Sequence, residues 1–325
     1  MTRLSEEHPA ADPAAPAAVV IAGPTASGKS ALAAAAAAAF GGTVINADAL
    51  QVYRELDVLT ARPGPDLAAR APHRLYGVLP AAQACSAGRW RQLAVAEIAT
   101  ARAAGRLPVI VGGTGLYIRS LLHGIADVPP VPAACRRAAR ERLAELGAPG
   151  FRAEVAALDP AAGARLGPTD TQRLLRAWEV ATATGRPLSD WQSGPVAPPP
   201  VRALVIVVQP PRPALHAAIE GRFAAMIGRG AVAEVGALMA LGLDPSLPAM
   251  KAVGVRELAA HLAGAATLEQ ATAAAVQSTR QYAKRQTTWF RHQIVPDRVI
   301  AAQYSERLEP EIFSLISSFL LTPAS

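Results

Sequence analysis

Short runs of hydrophobic residues alternate along the chain with longer stretches whose composition favours helices. The first run covers residues 18–22, and an alanine-rich, helix-favouring stretch follows at 31–40. Further apolar runs cover residues 43–46, 107–111 and 203–208. Continuous apolar runs between helices indicate strands that are buried on both faces of a parallel sheet. We therefore predict an α/β fold in which the loops after the strands form the active site.

A long central part of the chain lacks such runs. Residues 126–196 have a helical pattern rich in arginine, and proline-rich segments at 128–132 and 195–200 border them. This pattern predicts a helical insertion domain at 126–196, set into a core formed by residues 18–125 and 197–325.

The two ends of the chain have different compositions. From Pro213 onward the pattern is mostly helical. Residues 1–17 are polar, acidic or Ala/Pro and lack the pattern of a signal peptide, so we predict a disordered tail there.

Composition limits the classes of protein that fit. Hydrophobic residues make up 51% of the 325 residues, and no apolar run approaches the roughly 20 residues that span a bilayer. The two cysteines, Cys85 and Cys135, form no metal or redox motif, which favours a reducing cytoplasm and no disulfide framework. The net charge of +7 is compatible with a polyanionic partner, although only three of the cations are lysines.

The strongest motif lies between the first apolar run and the first helical stretch. Residues 23–30 read Gly-Pro-Thr-Ala-Ser-Gly-Lys-Ser, the phosphate-loop pattern, between a predicted strand and a predicted helix. The glycines allow backbone amides to face an anion, and the helix N-terminus adds positive potential. Lys29 can neutralise a phosphate and Ser30 can hold Mg²⁺. The sequence therefore predicts a P-loop NTPase-like sheet that binds a di- or triphosphate group at Gly23, Pro24, Thr25, Ala26, Ser27, Gly28, Lys29 and Ser30.

Two further strand ends carry polar residues. Asp48 follows the apolar run at 43–46, and Gly112-Gly113-Thr114-Gly115 follows the run at 107–111. An acid at the first position could hold magnesium or accept a proton, although an aspartate there is also a common turn residue. Thr114 can donate a hydrogen bond to an anionic oxygen.

Two predicted amphipathic helices carry basic faces. In the helix at 170–180, Gln172 and Arg176 share one face with Glu179, and Leu174, Trp178 and Ala181 lie on the other.

In the helix at 280–291, a stripe of three cations contains no acid, and Tyr282 and Trp289 point toward a core. Such faces suit nucleic-acid phosphates, although either one could be an ordinary solvated surface. The stripe consists of Arg280, Lys284, Thr287 and Arg291.

These motifs together resemble the tRNA dimethylallyltransferase (tRNA isopentenyltransferase) family of bacterial type. The likeness extends from about residue 18 to residue 291 and rests on seven segments in order: GPTASGKS at 23–30, NADALQVYR at 46–54, PHRLYG at 72–77, GGTGLY at 112–117, QRLLRAWEV at 172–180, GVRE at 254–257 and QYAKRQTTWFR at 281–291. The chain departs from the family pattern at Ala49, Leu50, Leu59, Gly77, Ala218 and Val255.

The resemblance implies transfer of a dimethylallyl group from dimethylallyl diphosphate to N6 of adenosine 37 in tRNA, next to the anticodon. It implies that the phosphate loop holds the diphosphate with Mg²⁺ through Ser30, that Lys29, Thr114 and Arg222 stabilise the leaving group, and that Asp48 acts as the base. The anticodon stem-loop would be held by Asp48, Ala49, Leu50, Gln51, Thr114, Arg136, Gln172, Arg173, Leu174, Leu175, Arg176, Lys251, Ala252, Val253, Gly254, Val255, Arg256, Arg280, Lys284 and Arg291. We expect a cytoplasmic monomer that does not bind membranes.

Three other functions stay open at this point. A P-loop small-molecule or nucleoside kinase would use the same loop with ATP, and an adenylate isopentenyltransferase would carry out the same chemistry on a free nucleotide. Neither would need the basic helices. A non-catalytic RNA-binding module fits less well, because Asp48 and Thr114 both stand at strand ends.

Overall fold

A computed structural model of the protein describes residues 15–194, 196 and 200–322. Most of the predicted tail, residues 1–14, lies outside the described residues. Ala17, which we assigned to that tail, instead begins the first strand and pairs with Arg202. Ala17 therefore belongs to the sheet and not to the predicted tail.

The centre of the structure is a six-stranded, all-parallel sheet in the order β3-β2-β4-β1-β5-β6. The strands are β1 (Ala17–Ala22), β2 (Gly42–Asn46), β3 (His73–Arg74), β4 (Leu107–Gly112), β5 (Arg202–Val208) and β6 (Arg298–Ile300). The apolar runs correspond to β1, β2, β4 and β5, which confirms the predicted α/β class. The edge strands β3 and β6 escaped prediction because they are only two and three residues long, too short to form an apolar run. The β6 strand also interrupts the part after Pro213 that we expected to be helical.

The strand register brings three loops together at one edge of the sheet. Ala22 pairs with Gly112 and Val207, and Asn46 pairs with Val111. The carboxyl ends of β2, β4 and β1 are therefore neighbours, and the segments that follow them start side by side.

Helices cover both faces of the sheet. Those of the sheet unit are α1 (Lys29–Ala39), α2 (Pro65–Arg70), α3 (Ala87–Ala103), α4 (Gly115–His123), α9 (Arg212–Gly228), α10 (Ala231–Ala240), α11 (Val255–Leu262), α12 (Leu268–Gln293) and α13 (Glu309–Leu321). One apolar core places Leu32 of α1 and Ile316 of α13 against the sheet, and another contains Trp90 of α3 and Phe290 of α12. The start of α12 is fixed by a capping box, in which Gln270 N donates to Thr267 Oγ1 (3.2 Å) and Thr267 N donates to Gln270 Oε1 (2.9 Å).

A second compact unit comprises the described residues of Gly124–Ala197, close to the range predicted for the insertion. It contains four helices: α5 (Ala133–Leu158), which is broken at Gly147, α6 (Pro160–Arg165), α7 (Thr171–Thr184) and α8 (Leu188–Gln192). Phe151, Leu174 and Trp178 belong to its own apolar core.

A buried carboxylate, that of Asp159, connects two short helices of this unit. Asp159 is fully buried and accepts hydrogen bonds from Ala162 N (2.9 Å), Ser189 N (3.0 Å) and Ser189 Oγ (2.7 Å). Burial alone would raise the pKa of Asp159, but these hydrogen bonds outweigh it and hold the pKa below its usual value. Asp159 thus joins the starts of α6 and α8.

Within the described residues, no single helix has the length and apolar character needed to cross a membrane, and only α9 and α10 taken together, with a 67° bend between them, meet those criteria. Cys85 and Cys135 are both free thiols.

Candidate active site at the carboxyl ends of the central strands

The phosphate loop, residues 23–30, connects β1 to α1. Its backbone reverses at Gly28, whose φ of 87° lies in the left-handed region that favours glycine. Lys29 and Ser30 then form the first turn of α1, so the free amides of the helix N-terminus face the space above the sheet. The loop has the geometry of an anion site.

Lys29 is buried beside this loop. Its ammonium donates to the carbonyl oxygen of Pro24 (3.3 Å). Burial lowers the pKa of Lys29 to about 8; the charge of Asp48 opposes this change and that of Arg222 adds to it. An anion bound in the loop would therefore raise the pKa of Lys29 and favour its charged form.

Arg222 approaches the same loop from α9. Its guanidinium donates a hydrogen bond to Thr25 Oγ1. Burial lowers the pKa of Arg222 to about 10, again opposed by the negative charge of Asp48. Two buried cations thus flank the loop, and one carboxylate acts on both.

Asp48 stands just after β2 in a fixed turn. Its Oδ1 accepts from Leu50 N (3.0 Å), and its own N–H donates to Asn46 Oδ1 (2.9 Å). Asn46 Nδ2 also donates to the Leu75 carbonyl (3.0 Å) after β3. The turn that we considered as an alternative role for Asp48 is present, and it leaves the second carboxylate oxygen available for chemistry.

Thr114 joins the ends of β4 and β2. Its Oγ1 accepts from Ala49 N (2.9 Å), and its N–H donates to the Ala47 carbonyl (3.2 Å). The residue that follows Asp48 is therefore held by the Gly112–Gly115 turn. The phosphate loop, Asp48 and Thr114 therefore follow the ends of three adjacent strands, β1, β2 and β4.

A cleft of about 490 Å³, counting the part open to solvent, opens beside Asp48. Part of its wall, which includes Leu50, Phe223 and Met226, is apolar and suits an allyl group or a base better than a second phosphate, and the rest of the lining is polar. It is lined by Thr25, Asp48, Leu50, Leu59, Thr60, Phe223, Met226, Ala252, Val253, Thr279 and Tyr282.

The residues expected to hold RNA on α7 divide between surface and core. Gln172 and Arg173 are exposed, and Arg176 is partly exposed and pairs with Glu179 (3.8 Å). Leu174 is fully buried in the core of the helical unit and Leu175 packs against it. Because the core encloses the Leu174 side chain, the RNA contact predicted for this residue would fall to its backbone.

Three arginines of the helical unit surround Glu179. Arg136 and Arg140 on α5 and Arg176 on α7 each lower its pKa, although burial acts in the opposite direction and dominates. Arg136 also donates to the Val131 carbonyl (2.8 Å). This group has more positive than negative charge, whereas the range 124–197 as a whole contains nine arginines and eight acidic residues.

The segment 251–256 is similarly divided. Lys251 and Arg256 are exposed, and Val253 lines the cleft. Ala252, Gly254 and Val255 are buried against the sheet unit's core. The RNA contact predicted for this segment would therefore fall to the exposed side chains of Lys251 and Arg256 and to the backbone between them.

The predicted cationic stripe on α12 is not free of acids. Arg280 forms an ion pair with Glu220 of α9, which sequence spacing could not reveal. Lys284 and Arg291 are exposed. Only these two cations of the stripe are freely presented to solvent.

Gln51, expected to face RNA, uses its amide within the protein. Its Nε2 donates to the carbonyls of Thr60 (2.9 Å) and Ala61 (3.1 Å), and thereby supports the loop that lines the cleft.

Several residues of the site were missed by the sequence analysis. Phe223, Met226 and Tyr282 line the cleft, and Gln286 contacts the phosphate loop. Only helical periodicity could have placed them on inward faces, and periodicity does not reveal which loop they meet.

No metal-binding cluster stands beside the loop. The described part of the chain contains no group of three or more His, Cys, Asp or Glu side chains able to hold a metal ion. Mg²⁺ commonly uses one or two protein ligands and completes its shell with substrate phosphates and water. Ser30 at the start of α1 fits that pattern as a single ligand.

A phosphate loop beside a fixed carboxylate and a cleft with an apolar wall is an arrangement that suits an α/β enzyme of group transfer. Comparison with known proteins specifies the class. The IPP transferase family profile matches residues 51–293, and the isopentenyl transferase profile matches residues 16–76.

Curated relatives are similar over most or nearly all of the chain. A tRNA dimethylallyltransferase of Rhodospirillum centenum is 58% identical, with 88% of this chain and 92% of that protein covered. One from Rhodospirillum rubrum is 52% identical, with 98% and 99% covered. Among solved structures, the tRNA isopentenylpyrophosphate transferase of Staphylococcus epidermidis is 30% identical with a TM-score of 0.66, covering 94% of this chain and 99% of that one. The chain belongs to the IPP transferase family.

Proposed function

We propose that this protein transfers the dimethylallyl group of dimethylallyl diphosphate to N6 of adenosine 37 in the anticodon stem-loop of tRNA. Family membership supports a prenyl transfer to tRNA. The observation that carries the donor and the chemistry is the placement of the Asp48 carboxylate, which acts on Lys29 and Arg222 beside one phosphate loop and also lines an apolar cleft.

The donor's diphosphate would lie in the phosphate loop. As the bond between C1 of the allyl group and the bridging oxygen breaks, negative charge grows on the diphosphate. Loop amides, Lys29, Arg222 and Thr114 would stabilise that charge, since fixed donors in a buried site act more strongly than water does. The dimethylallyl chain would lie against the apolar wall that includes Phe223 and Met226.

The acceptor is a weak nucleophile because the N6 lone pair is delocalised into the adenine ring. Asp48 would hydrogen-bond the amine and take one of its protons as nitrogen attacks C1. Products are the N6-alkylated adenosine and diphosphate. The target base must leave its stack to reach the cleft, which is least costly in a single-stranded loop.

Mg²⁺ would be held by Ser30 together with diphosphate oxygens and water. When bound, the ion neutralises charge on the leaving diphosphate. This assignment relies on the position of Ser30 in the first turn of α1.

The RNA would be held by exposed and partly exposed groups of both units. In the helical unit these are Gln172, Arg173, Arg176 and Arg136, and in the sheet unit Lys251, Arg256, Lys284 and Arg291. Guanidinium and ammonium groups of this kind contact phosphates and fix the position of a nucleic acid. We propose that the protein works as a monomer in the cytoplasm, where its two thiols stay reduced.

The test is a transfer assay with two labelled donors. Unmodified tRNA is incubated with the protein and Mg²⁺, in parallel with dimethylallyl diphosphate labelled in the allyl group and with ATP labelled in the γ-phosphate. We expect only the allyl label to reach tRNA, and only when adenosine 37 is present. Movement of the ATP label to any acceptor would support the kinase alternative instead, and transfer to free AMP would support the adenylate enzyme.

A further inference from the structure

Gln286 of α12 is a buried polar residue, 5% exposed, that bridges two loops of the site. Its Oε1 accepts from Thr25 N (2.8 Å) in the phosphate loop, and its Nε2 donates to the Gly113 carbonyl (2.8 Å) in the turn after β4. Both ends of one rigid amide group are thus satisfied by loops about 90 residues apart in sequence. The Gln286 amide therefore links two loops that also follow paired strands.

The turn after β4 is shaped to receive this helix. A Cβ atom placed on Gly113 would lie 2.3 Å from Gln286 Nε2, and one placed on Gly115 would lie 2.0 Å from the Trp289 ring. Only residues without a side chain allow α12 to come this close. Residues 286 and 289, one turn apart, therefore contact two glycines of the Gly112–Gly115 turn.

Hydrogen bonds extend from this bridge to both ends of the reaction centre. On one side, Thr25 also accepts from Arg222, which belongs to the diphosphate end. On the other side, Thr114 follows Gly113 and holds Ala49 N, next to Asp48 (2.9 Å). Tyr282, one turn before Gln286 on α12, lines the cleft near Thr114.

We propose that Gln286 is a positioning residue that fixes the separation of the phosphate loop from the Thr114–Asp48 side, and thus the alignment of the allyl C1 with the attacking amine. The inference rests on the proposed function. Alignment matters steeply in such a step, because a displacement of about 1 Å can reduce the rate by about 10²-fold. Binding of either substrate alone depends much less on that separation.

Two substitutions and a matched control test this role. Gln286→Met removes both hydrogen bonds at similar volume, and Gln286→Glu keeps an acceptor for Thr25 N but loses the donor to Gly113. Gln277→Met makes the same change on an exposed position of α12. Each protein is assayed at a temperature where circular dichroism shows it to be folded.

We expect turnover in both Gln286 variants to fall by roughly 10–100-fold, with the KM for donor and for tRNA changed less than about threefold. The Gln277 variant should match wild type. Unchanged turnover in Gln286→Met, or near-normal turnover in Gln286→Glu, would overturn the inference. An increase in both KM values without a loss of turnover would assign Gln286 to substrate binding instead.

Amide hydrogen exchange supplies a readout that needs no activity. The Thr25 amide should exchange faster in Gln286→Met but stay protected in Gln286→Glu, where a carboxylate oxygen still accepts its proton. Equal exchange in wild type and Gln286→Met would overturn the bridge. If the wild-type protein transfers no allyl group, the proposed function fails, yet Thr25 exchange and the affinity for inorganic diphosphate, expected to weaken less than tenfold, still decide whether Gln286 positions the loop.

Discussion

In the sheet unit, the charged groups of the site are buried or partly buried, whereas in the helical unit most of the arginines assigned to RNA are exposed to solvent. Lys29 and Arg222 have pKa values lowered by burial to about 8 and about 10, and the amide of Gln286 is satisfied at both ends. Arg173, by contrast, has a side chain that is 74% exposed.

This difference bears on what each unit can do. Buried groups act on one another through a low dielectric and keep their geometry, which favours stabilising charge as it develops in a reaction. Exposed arginines are screened by salt beyond roughly 8–10 Å and hold their positions loosely. They suit the attraction and orientation of a polyanion, while the chemistry is assigned to the sheet unit.

The largest expected effect removes the carboxylate from the sheet unit. Asp48→Asn keeps an oxygen for the Leu50 amide, so the turn should survive, but it removes the proposed base. We expect turnover to fall by roughly 10²–10⁴-fold with the affinity for diphosphate retained. Measurement belongs at about pH 7 or below, because losing the Asp48 charge also lowers the pKa of Lys29.

Single-turnover kinetics with saturating donor and tRNA provide the measurement for Asp48→Asn. Near-normal turnover would remove the general-base role. A matched loss of diphosphate affinity would instead place Asp48 in donor binding.

The second prediction uses the lowered pKa of Lys29. As pH rises through about 8, the free protein loses the Lys29 charge, so affinity for inorganic diphosphate should fall by up to about tenfold per pH unit. Binding above pH 8 should then take up a proton, which calorimetry in buffers of different ionisation enthalpy measures. Lys29→Arg, whose guanidinium stays charged, should bind diphosphate without this additional pH dependence. An identical pH profile in both proteins would contradict the assignment.

The lowered pKa of Lys29 affects the stability of the free protein in the opposite direction from diphosphate binding. Between about pH 8 and 10.5 the unfolded chain keeps a proton on Lys29 that the folded protein has lost, so the contribution of this group to stability rises with pH. Diphosphate reverses part of that effect because it favours the charged side chain.

The sequence predicted those site residues whose positions are fixed by the residues next to them along the chain. The phosphate loop, Asp48 and Thr114 follow apolar strands directly, and parallel strands bring their ends together. Gln286 and Glu220 depend instead on which helix faces meet, and nothing in the spacing of Arg280 indicates its acidic partner on α9. Helical periodicity correctly placed Leu174 on the buried face of α7, because that face packs into the core of its own unit.

A third prediction concerns the loop that borders the cleft. Glu234 of α10 accepts from three successive amides, those of Asp57 (2.6 Å), Val58 (2.7 Å) and Leu59 (2.8 Å). Glu234→Ala should reduce the free energy of unfolding by about 1.5–3 kcal/mol, since hydrogen bonds to a charged group are lost. It should also raise the KM for tRNA, because Leu59 and Thr60 line the cleft. Urea unfolding measures the first effect, with exposed Glu141→Ala as control.

The smallest expected effects test whether the exposed cations meet RNA at all. Each cation that contacts a phosphate should lower the magnitude of the salt slope of tRNA binding by about 0.7–0.9 when removed. We expect this for Arg173→Ala in the helical unit and for Lys284→Ala in the sheet unit. Arg280→Ala should change the slope less, because the Arg280 side chain is 31% exposed and pairs with Glu220, whereas the Arg173 side chain stays 74% exposed beside Asp170. Gln172→Ala should leave the slope unchanged, because an uncharged side chain releases no counterion. If Gln172 contacts a base, loss of that contact should reduce discrimination between bases by roughly 1–3 kcal/mol.

Fluorescence anisotropy of a labelled anticodon stem-loop across a salt series separates these cases. An unchanged slope in Arg173→Ala together with a reduced one in Lys284→Ala would mean that the sheet unit supplies the electrostatic contact as well as the chemistry.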